Sequence, residues 1–407
     1  MAPAERRSGD LKAPLPLFFV SHASPATDDP AQRADDELFT RFHEDLTLAV
    51  AQRLATRDRP ALGYMVGPGA EAQATARALA TCQVFVALCS PLYFKNEQCG
   101  KEWSAFSARV PEDRRVRCFY PVTWTPVSAP AFPAAAVDVF AAGTRNDQLD
   151  ALGGVYALMV DEDSEAYGAV VADIAGVIAE TARRPVLATT VPVDLNRARN
   201  AFTSTVPQLR LQVVILAPTR DELPEGRTET ESYGAHQLDW APYGGVTGRQ
   251  VAEDAALVAE RLGYAINLVG FDDVADQLLT DRQPTAPTVL LIDNWSLIDR
   301  ERRLQVRAYV ELNHPWYRFM VIRNPQDPET NDSQQRLQAV VNETLQAKLN
   351  AMRIDMRHAS SGNGSPELFP ARFKLVAETA AASFQRRSSR VREANRQDGV
   401  VGNGDER

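Results

Sequence analysis

A chain of 407 residues, 44% hydrophobic and 24% charged, has a globular composition and is too long for one small core. Its net charge of -9 excludes a general nucleic-acid binder, which needs a basic surface to meet phosphates. Four cysteines (Cys82, Cys89, Cys99, Cys118) form no C-x-x-C pair, and five scattered histidines show no ligand spacing. Neither a disulfide framework nor a metal site is therefore expected.

Residues 1–14 are polar and proline-containing, lack the apolar core of a signal peptide, and are expected to be disordered. No apolar run approaches membrane-spanning length, so the expectation is a soluble, cytoplasmic protein without a membrane contact. "LFFV" (17–20) reads as a buried strand that stops at polar "SHAS" (21–24). Over 36–55, Phe39, Phe42, Leu46 and Val50 mark one helix face. A weak strand, "LGYMV", turns at "GPG" into a helix over about 70–81, and "CQVFVALC" (82–89) has the content of a central parallel strand.

A helix over 97–110 follows, with Cys99, Trp103, Phe106 and Val110 on one stripe, then the strand "RCFYPVTW" (117–124). A proline- and alanine-rich loop covers 125–137, and 164–182 is a closing helix. Strands alternating with helices mean a parallel sheet covered on both faces, here a first α/β domain over 15–182.

Residues 183–208 have mixed polarity and no period, and read as a linker. A second α/β domain spans 209–357. Its strands are "LQVVILAP" (211–218), "AINLVGF", "TVLLIDNW" and "YRFMVIRN", separated by helices over 247–263, 272–281, 299–313 and 333–352. Thr247 is the expected N-cap of the first of these and Gly263 its end. Asp293 and Trp295, past a buried strand, read as an N-cap acid and a packing tryptophan or as the rim of a ligand site. "NHPWYRF" (313–319) suggests exposed aromatics and a protein contact surface. Residues 358–407 hold a helix over about 366–388 and a basic, disordered tail. Five arginines between Arg386 and Arg396 suit a helix C-terminus, or else an acidic partner.

Ligands of doubly wound sheets sit at the carboxyl ends of the strands, near a topological switch. Ser21, His22 and Ser90 fall there in the first domain. Glu102 lies three residues after Cys99 and four before Phe106, on the flank of the helix stripe. That position predicts a partly sheltered carboxylate, either an ordinary flank residue or a working acid.

"PLFFVSHAS" and "ALATCQVFVALCSPLYFKNEQCGKEW" resemble a Toll/interleukin-receptor (TIR) domain over roughly 15–182. More narrowly, "CSPLYFKNEQCGKEW" with "FYPVTWTP" is similar to the TIR-like FxsC proteins of actinobacterial FxSxx-COOH peptide-modification systems. The resemblance implies a flavodoxin-like, doubly wound first domain, a second such domain and a bacterial signalling role. Many bacterial TIR domains cleave NAD+, and position carries their catalytic glutamate onto Glu102. Ser21, His22 and Ser90 would then line the substrate pocket, and Tyr93 or Phe94 would stack on a ring. NAD+ would be the substrate, with no resident cofactor. Nicotinamide leaves as a neutral group, so one carboxylate stabilising the oxocarbenium-like sugar would suffice.

The likeness departs at the second strand, where Met65 and Val66 stand in place of an acid, and at Asn96, where a serine is common. Two readings stand side by side: an NAD+ glycohydrolase, and a non-catalytic interaction or nucleotide-binding module. The resemblance implies protein partners among peptide-maturation or signalling proteins, and self-association through the TIR-like domain.

Overall fold

The computed structural model describes residues 15–23, 30–55, 62–67, 70–127, 132–141, 149, 153–160, 164–202, 209–280, 284–312, 314, 316–351 and 365–401. Ser24, Pro68, Gly69 and residues 1–14 lie outside them.

The first half builds a four-stranded parallel sheet from β1 (Phe18–Ser21), β2 (Gly63–Met65), β3 (Val84–Cys89) and β4 (Phe119–Thr123), in the order β2-β1-β3-β4. Every residue of β1 and β3 is buried, as expected of a central parallel strand covered on both sides. Alternation divides β1: Phe18 and Val20 face one helical layer, Phe19 the other. One layer holds α1 (Pro30–Leu54) with Phe39, Phe42, Leu46 and Val50 turned inward, and, further along the chain, a long helix over 164–183. The other holds α2 (Ala72–Thr81) and α3 (Glu97–Ser107), and the expected stripe of Cys99, Trp103, Phe106 and Val110 is buried there.

Short helices follow β4. α4 (Ala134–Ala141) lies partly inside the span read as loop, and α5 (Gly154–Val160) is an addition to the expected elements. Gly154 is required at the start of α5: its φ is +85°, and a Cβ there would stand 2.3 Å from the Trp124 carbonyl oxygen. α6 (Ser164–Arg183) closes this half and packs beside α1.

Residues 184–202 contain no strand or long helix, yet they are fastened to the first half. Gln83 donates through Nε2 to the Leu187 carbonyl at 2.9 Å, and its Oε1 accepts from the amides of Val186 and Leu187. Leu187, Leu195 and Phe202 are buried among α2, α3 and β4.

The second half repeats the plan. β5 (Leu209–Leu216), β6 (Tyr264–Gly270), β7 (Thr288–Asp293) and β8 (Tyr317–Ile322) form a parallel sheet ordered β6-β5-β7-β8. α7 (Val251–Arg261), α8 (Phe271–Leu278), α9 (Arg300–Glu311), α10 (Pro328–Asp332) and α11 (Gln334–Ala351) surround it. Thr247 does not cap α7. It ends a single turn, Gly244–Thr247, closed by left-handed Gly248, and Gln250 with Glu253 forms the capping box. Gly263, at φ +75°, does end that helix. Trp316, Tyr317 and Phe319 are at most 5% exposed, so the aromatics expected at a surface belong to the core; packing against α9 and α11 claims them. Asn313 and Pro315 lie outside the described residues.

The last helix, α12 (Phe369–Val401), runs past the expected end near 388. Phe369, Phe373, Val376 and Ala380 pack it on the second sheet, and its opposite side meets α5 of the first half. No helix among the described residues is long and apolar enough to cross a membrane.

Candidate functional site

The carboxyl end of β1 delivers Ser21, and α3 delivers Glu102 opposite it. Asn96 positions that helix by accepting from the Cys99 amide at 3.0 Å, an N-cap that sets the phase of every side chain behind it. Ser21 Oγ donates to Glu102 Oε2 at 2.6 Å, and Tyr93 Oη donates to Ser21 Oγ at 3.1 Å. Gln98, one turn before Glu102, donates through Nε2 to Oε1 at 3.2 Å. The result is a relay, Tyr93 to Ser21 to Glu102, with the second carboxylate oxygen held by Gln98.

Glu102 is only 3% exposed, so the partly sheltered flank expected from helix spacing is in fact an interior position. A segment from far along the chain packs on the same helix: Phe202 lies 5.6 Å from Trp103, 5.6 Å from Tyr93 and 5.3 Å from Phe94, centroid to centroid. Burial raises the Glu102 carboxyl to about 7, against the opposing pull of the hydrogen bonds from Ser21 and Gln98. An acid so placed exchanges its proton near neutrality, which suits a proton-handling or charge-stabilising role once a ligand reaches it.

The other residues expected to line the pocket divide. Tyr93 is fully buried and belongs to the relay; Phe94 is 3% exposed and held edge-on between Phe132 and Phe202. Neither offers a free face for stacking. Ser90 Oγ accepts from the Tyr93 amide at 3.1 Å, fixing the turn that aims Tyr93. His22 packs on Phe39 of α1 at 4.6 Å, and its Nδ1 is enclosed without a hydrogen-bond partner. Burial lowers that imidazole to about 4, so it is neutral at pH 7. Its backbone carbonyl instead accepts from Cys99 Sγ at 3.3 Å. The fold thus brings Ser21, Tyr93 and Glu102 together and leaves Ser90, Phe94 and His22 in supporting positions.

Gln98 and Phe202 were missed by sequence reasoning. Gln98 carries the i, i+4 signal and was findable; Phe202 carries none, being a hundred residues from Glu102. A second polar group was missed as well. Beside the carboxyl ends of β3 and β4, Lys95 Nζ donates to the Gly263 carbonyl at 3.2 Å, and Lys374 Nζ pairs with Asp35 at 2.6 Å. Lys374 also stands 4.3 Å over the Tyr156 ring. Glu378 is 1% exposed between the halves with the Thr125 hydroxyl beside its carboxyl, and Tyr264 Oη nearby lacks a hydrogen-bond partner. Burial raises the Glu378 carboxyl to about 7, while Lys374 opposes the shift.

In the second half Asp293 does cap the turn after β7, accepting from the Trp295 amide at 3.0 Å. It also accepts from Tyr233 Oη at 2.7 Å, and burial raises its carboxyl to about 6. Trp295 is a packing residue, 1% exposed, donating through Nε1 to Thr330. Arg227 lies over the Tyr233 and Trp295 rings and reaches Asp327 at 2.5 Å. All four cysteines are free and buried. No group of three or more His, Cys, Asp or Glu among the described residues is placed to hold a metal ion.

The fold defines the class: an α/β protein with two parallel sheets of identical strand order. No family model, curated protein or solved structure matches the chain.

Proposed function

We propose that this chain is a TIR-like, FxsC-type protein that acts by binding, as an interaction or nucleotide-sensing module of a peptide-modification or signalling complex. The observation that supports this over catalysis is the state of Glu102. Both carboxylate oxygens are engaged, by Ser21 and Gln98, and the residue is only 3% exposed. A carboxylate that stabilises a developing oxocarbenium ion must face the sugar, and this one faces its own helix and strand.

A second reading, NAD+ cleavage after the site opens, draws support from the carboxyl raised to about 7 at the end of β1, beside the switch between β1 and β3. Nicotinamide release from NAD+ by the full-length protein, beside Glu102→Ala and at low and high protein concentration, separates the two. The binding reading expects no release at either concentration. Release that disappears in Glu102→Ala would overturn it and make the protein a glycohydrolase. For the partners, capture from a lysate with and without residues 209–407 would place recognition in the second half if it fails only on truncation.

A further inference from the structure

The same topological switch occurs in the second sheet, and there it is open. The chain leaves β5 toward β6 on one side and returns to β7 on the other, so the loops after β5 and β7 diverge. A cleft of about 400 Å³ lies between them, within the range of small-molecule sites.

Its floor is already built. Ser296 Oγ donates to the Leu216 carbonyl at 3.3 Å, and Gln237 Nε2 donates to the Ala217 carbonyl at 3.2 Å. Gln237 Oε1 accepts from the Asp272 amide, also at 3.2 Å. Ser296 and Gln237 are 5% and 8% exposed, so two buried polar side chains fix the carboxyl end of β5 and the start of α8 before any ligand arrives.

The charges select the ligand. Five charged residues line the cleft: Glu222, Asp272, Asp299, Glu301 and Arg302. Arg302 is committed to Asp272 in a two-pronged pair, with Nη2 to Oδ2 at 2.7 Å. Asp299 uses one oxygen to cap α9, accepting from the Arg302 amide at 2.8 Å. Glu301 offsets the dipole of that helix. Glu222 has no such duty, since it lies in the loop after β5, and it still faces the cleft. With the guanidinium spent, the walls carry three uncompensated carboxylates. A phosphate or carboxylate ligand meets repulsion there, and a bare ion is far smaller than the space.

We propose that this cleft binds a small organic cation, a protonated amine or guanidinium whose short apolar body rests on Leu223 and Pro224. The charge would sit between Glu222 and Glu301, and Thr219 offers a hydroxyl at the same wall.

Calorimetric titration of the full-length protein tests this, with spermidine and arginine amide as free cations, a short lysine- and arginine-containing peptide, and ADP-ribose as the anionic counter-probe. The expected result is saturable binding of a cationic probe, weakened about tenfold or more by Glu222→Gln with Glu301→Gln. Tighter binding of the free amines assigns the source as a metabolite, and tighter binding of the peptide assigns it as a basic segment of a partner. Absence of binding by every cation at about 10 mM, equal binding by the double variant, or preference for ADP-ribose would each overturn the proposal. Both substitutions are on the cleft wall and keep side-chain size; a thermal melt matching the parent verifies that the variant is folded. The outcome does not depend on Glu102 or on the reading of the first half.

Discussion

Glu102 sits under two opposed influences, the desolvation that favours its neutral form and the donors Ser21 and Gln98 that favour its anion. Desolvation wins, and the sign of the pH dependence follows. A carboxyl raised in the folded state binds more protons there than in the unfolded chain, so its contribution is fully present below the unfolded value of about 4.5. It is lost as pH rises through about 7. Glu378, raised to about 7, and Asp293, raised to about 6, act in the same direction. Urea denaturation should therefore show stability falling from pH 5 to pH 8, with Glu102 alone responsible for up to roughly 3 kcal/mol. Glu102→Gln removes that share of the slope. It should be near neutral or mildly destabilising at pH 5, because its amide nitrogen cannot accept and only one of the donors Ser21 and Gln98 can keep its acceptor, and stabilising by about 1–2 kcal/mol at pH 8. An identical slope in parent and variant would show that the carboxyl is not shifted. Helix spacing placed Glu102 correctly beside the Trp103 stripe, but spacing describes one helix and says nothing of what the rest of the fold packs on that helix.

One segment packed on that helix is the strap of residues 184–202, and its attachment is of a kind that periodicity does not display. It is held by the Gln83 side chain, by Arg109 Nη2 donating to the Ala188 carbonyl at 3.0 Å, and by backbone pairs such as the Thr190 amide to the Ala80 carbonyl at 3.0 Å. Gly100 is the point of closest approach. Its carbonyl accepts from the Ala201 amide at 3.1 Å, and a Cβ there would fall 1.7 Å from Asn200 Oδ1. The strands, by contrast, were legible because burial on both faces demands an unbroken apolar run, and "VFVALC" and "TVLLID" supply it. Short α5 was not, since seven residues give too little period and its start depends on a glycine fitted against Trp124. Phe202→Ala should cost about 3–5 kcal/mol by opening a cavity between Trp103 and Phe94. It should also raise amide hydrogen exchange along α3, the helix that carries Glu102. Unchanged exchange in α3, with only the strap itself loosened, would separate the strap from control of the site.

Across the whole molecule, two sheets of the same order lie in one chain without a residue-level repeat, and the carboxyl end of each has a different fate. In the first, it is occupied by the buried relay of Tyr93, Ser21 and Glu102; in the second it is an open, acidic cleft. α12 joins the two, packed on the second sheet through Phe373 and Val376 and tied to the first half by Lys374. That tie was not readable from sequence, because Asp35 and Lys374 are 339 positions apart and neither breaks a local pattern. Its surroundings are polar and incompletely satisfied, with buried Glu378 beside Thr125 and with Tyr264 Oη unpartnered. Such a contact holds two bodies together more weakly than an apolar core does. The pair Asp35 and Lys374 is sheltered, at 21% and 12% side-chain exposure, so its strength exceeds that of a surface ion pair. A double-mutant cycle with Asp35→Asn and Lys374→Ala should return a coupling of about 1–3 kcal/mol. Lys374→Ala should also push the Glu378 carboxyl further up, since the nearest cation that opposes its desolvation is gone. The decline still begins near the unfolded value of about 4.5 but continues to higher pH, so the total loss of stability across the range is larger. Additive single variants with an unmoved pH profile would mean that α12 belongs to the second sheet alone and that the halves are free to part.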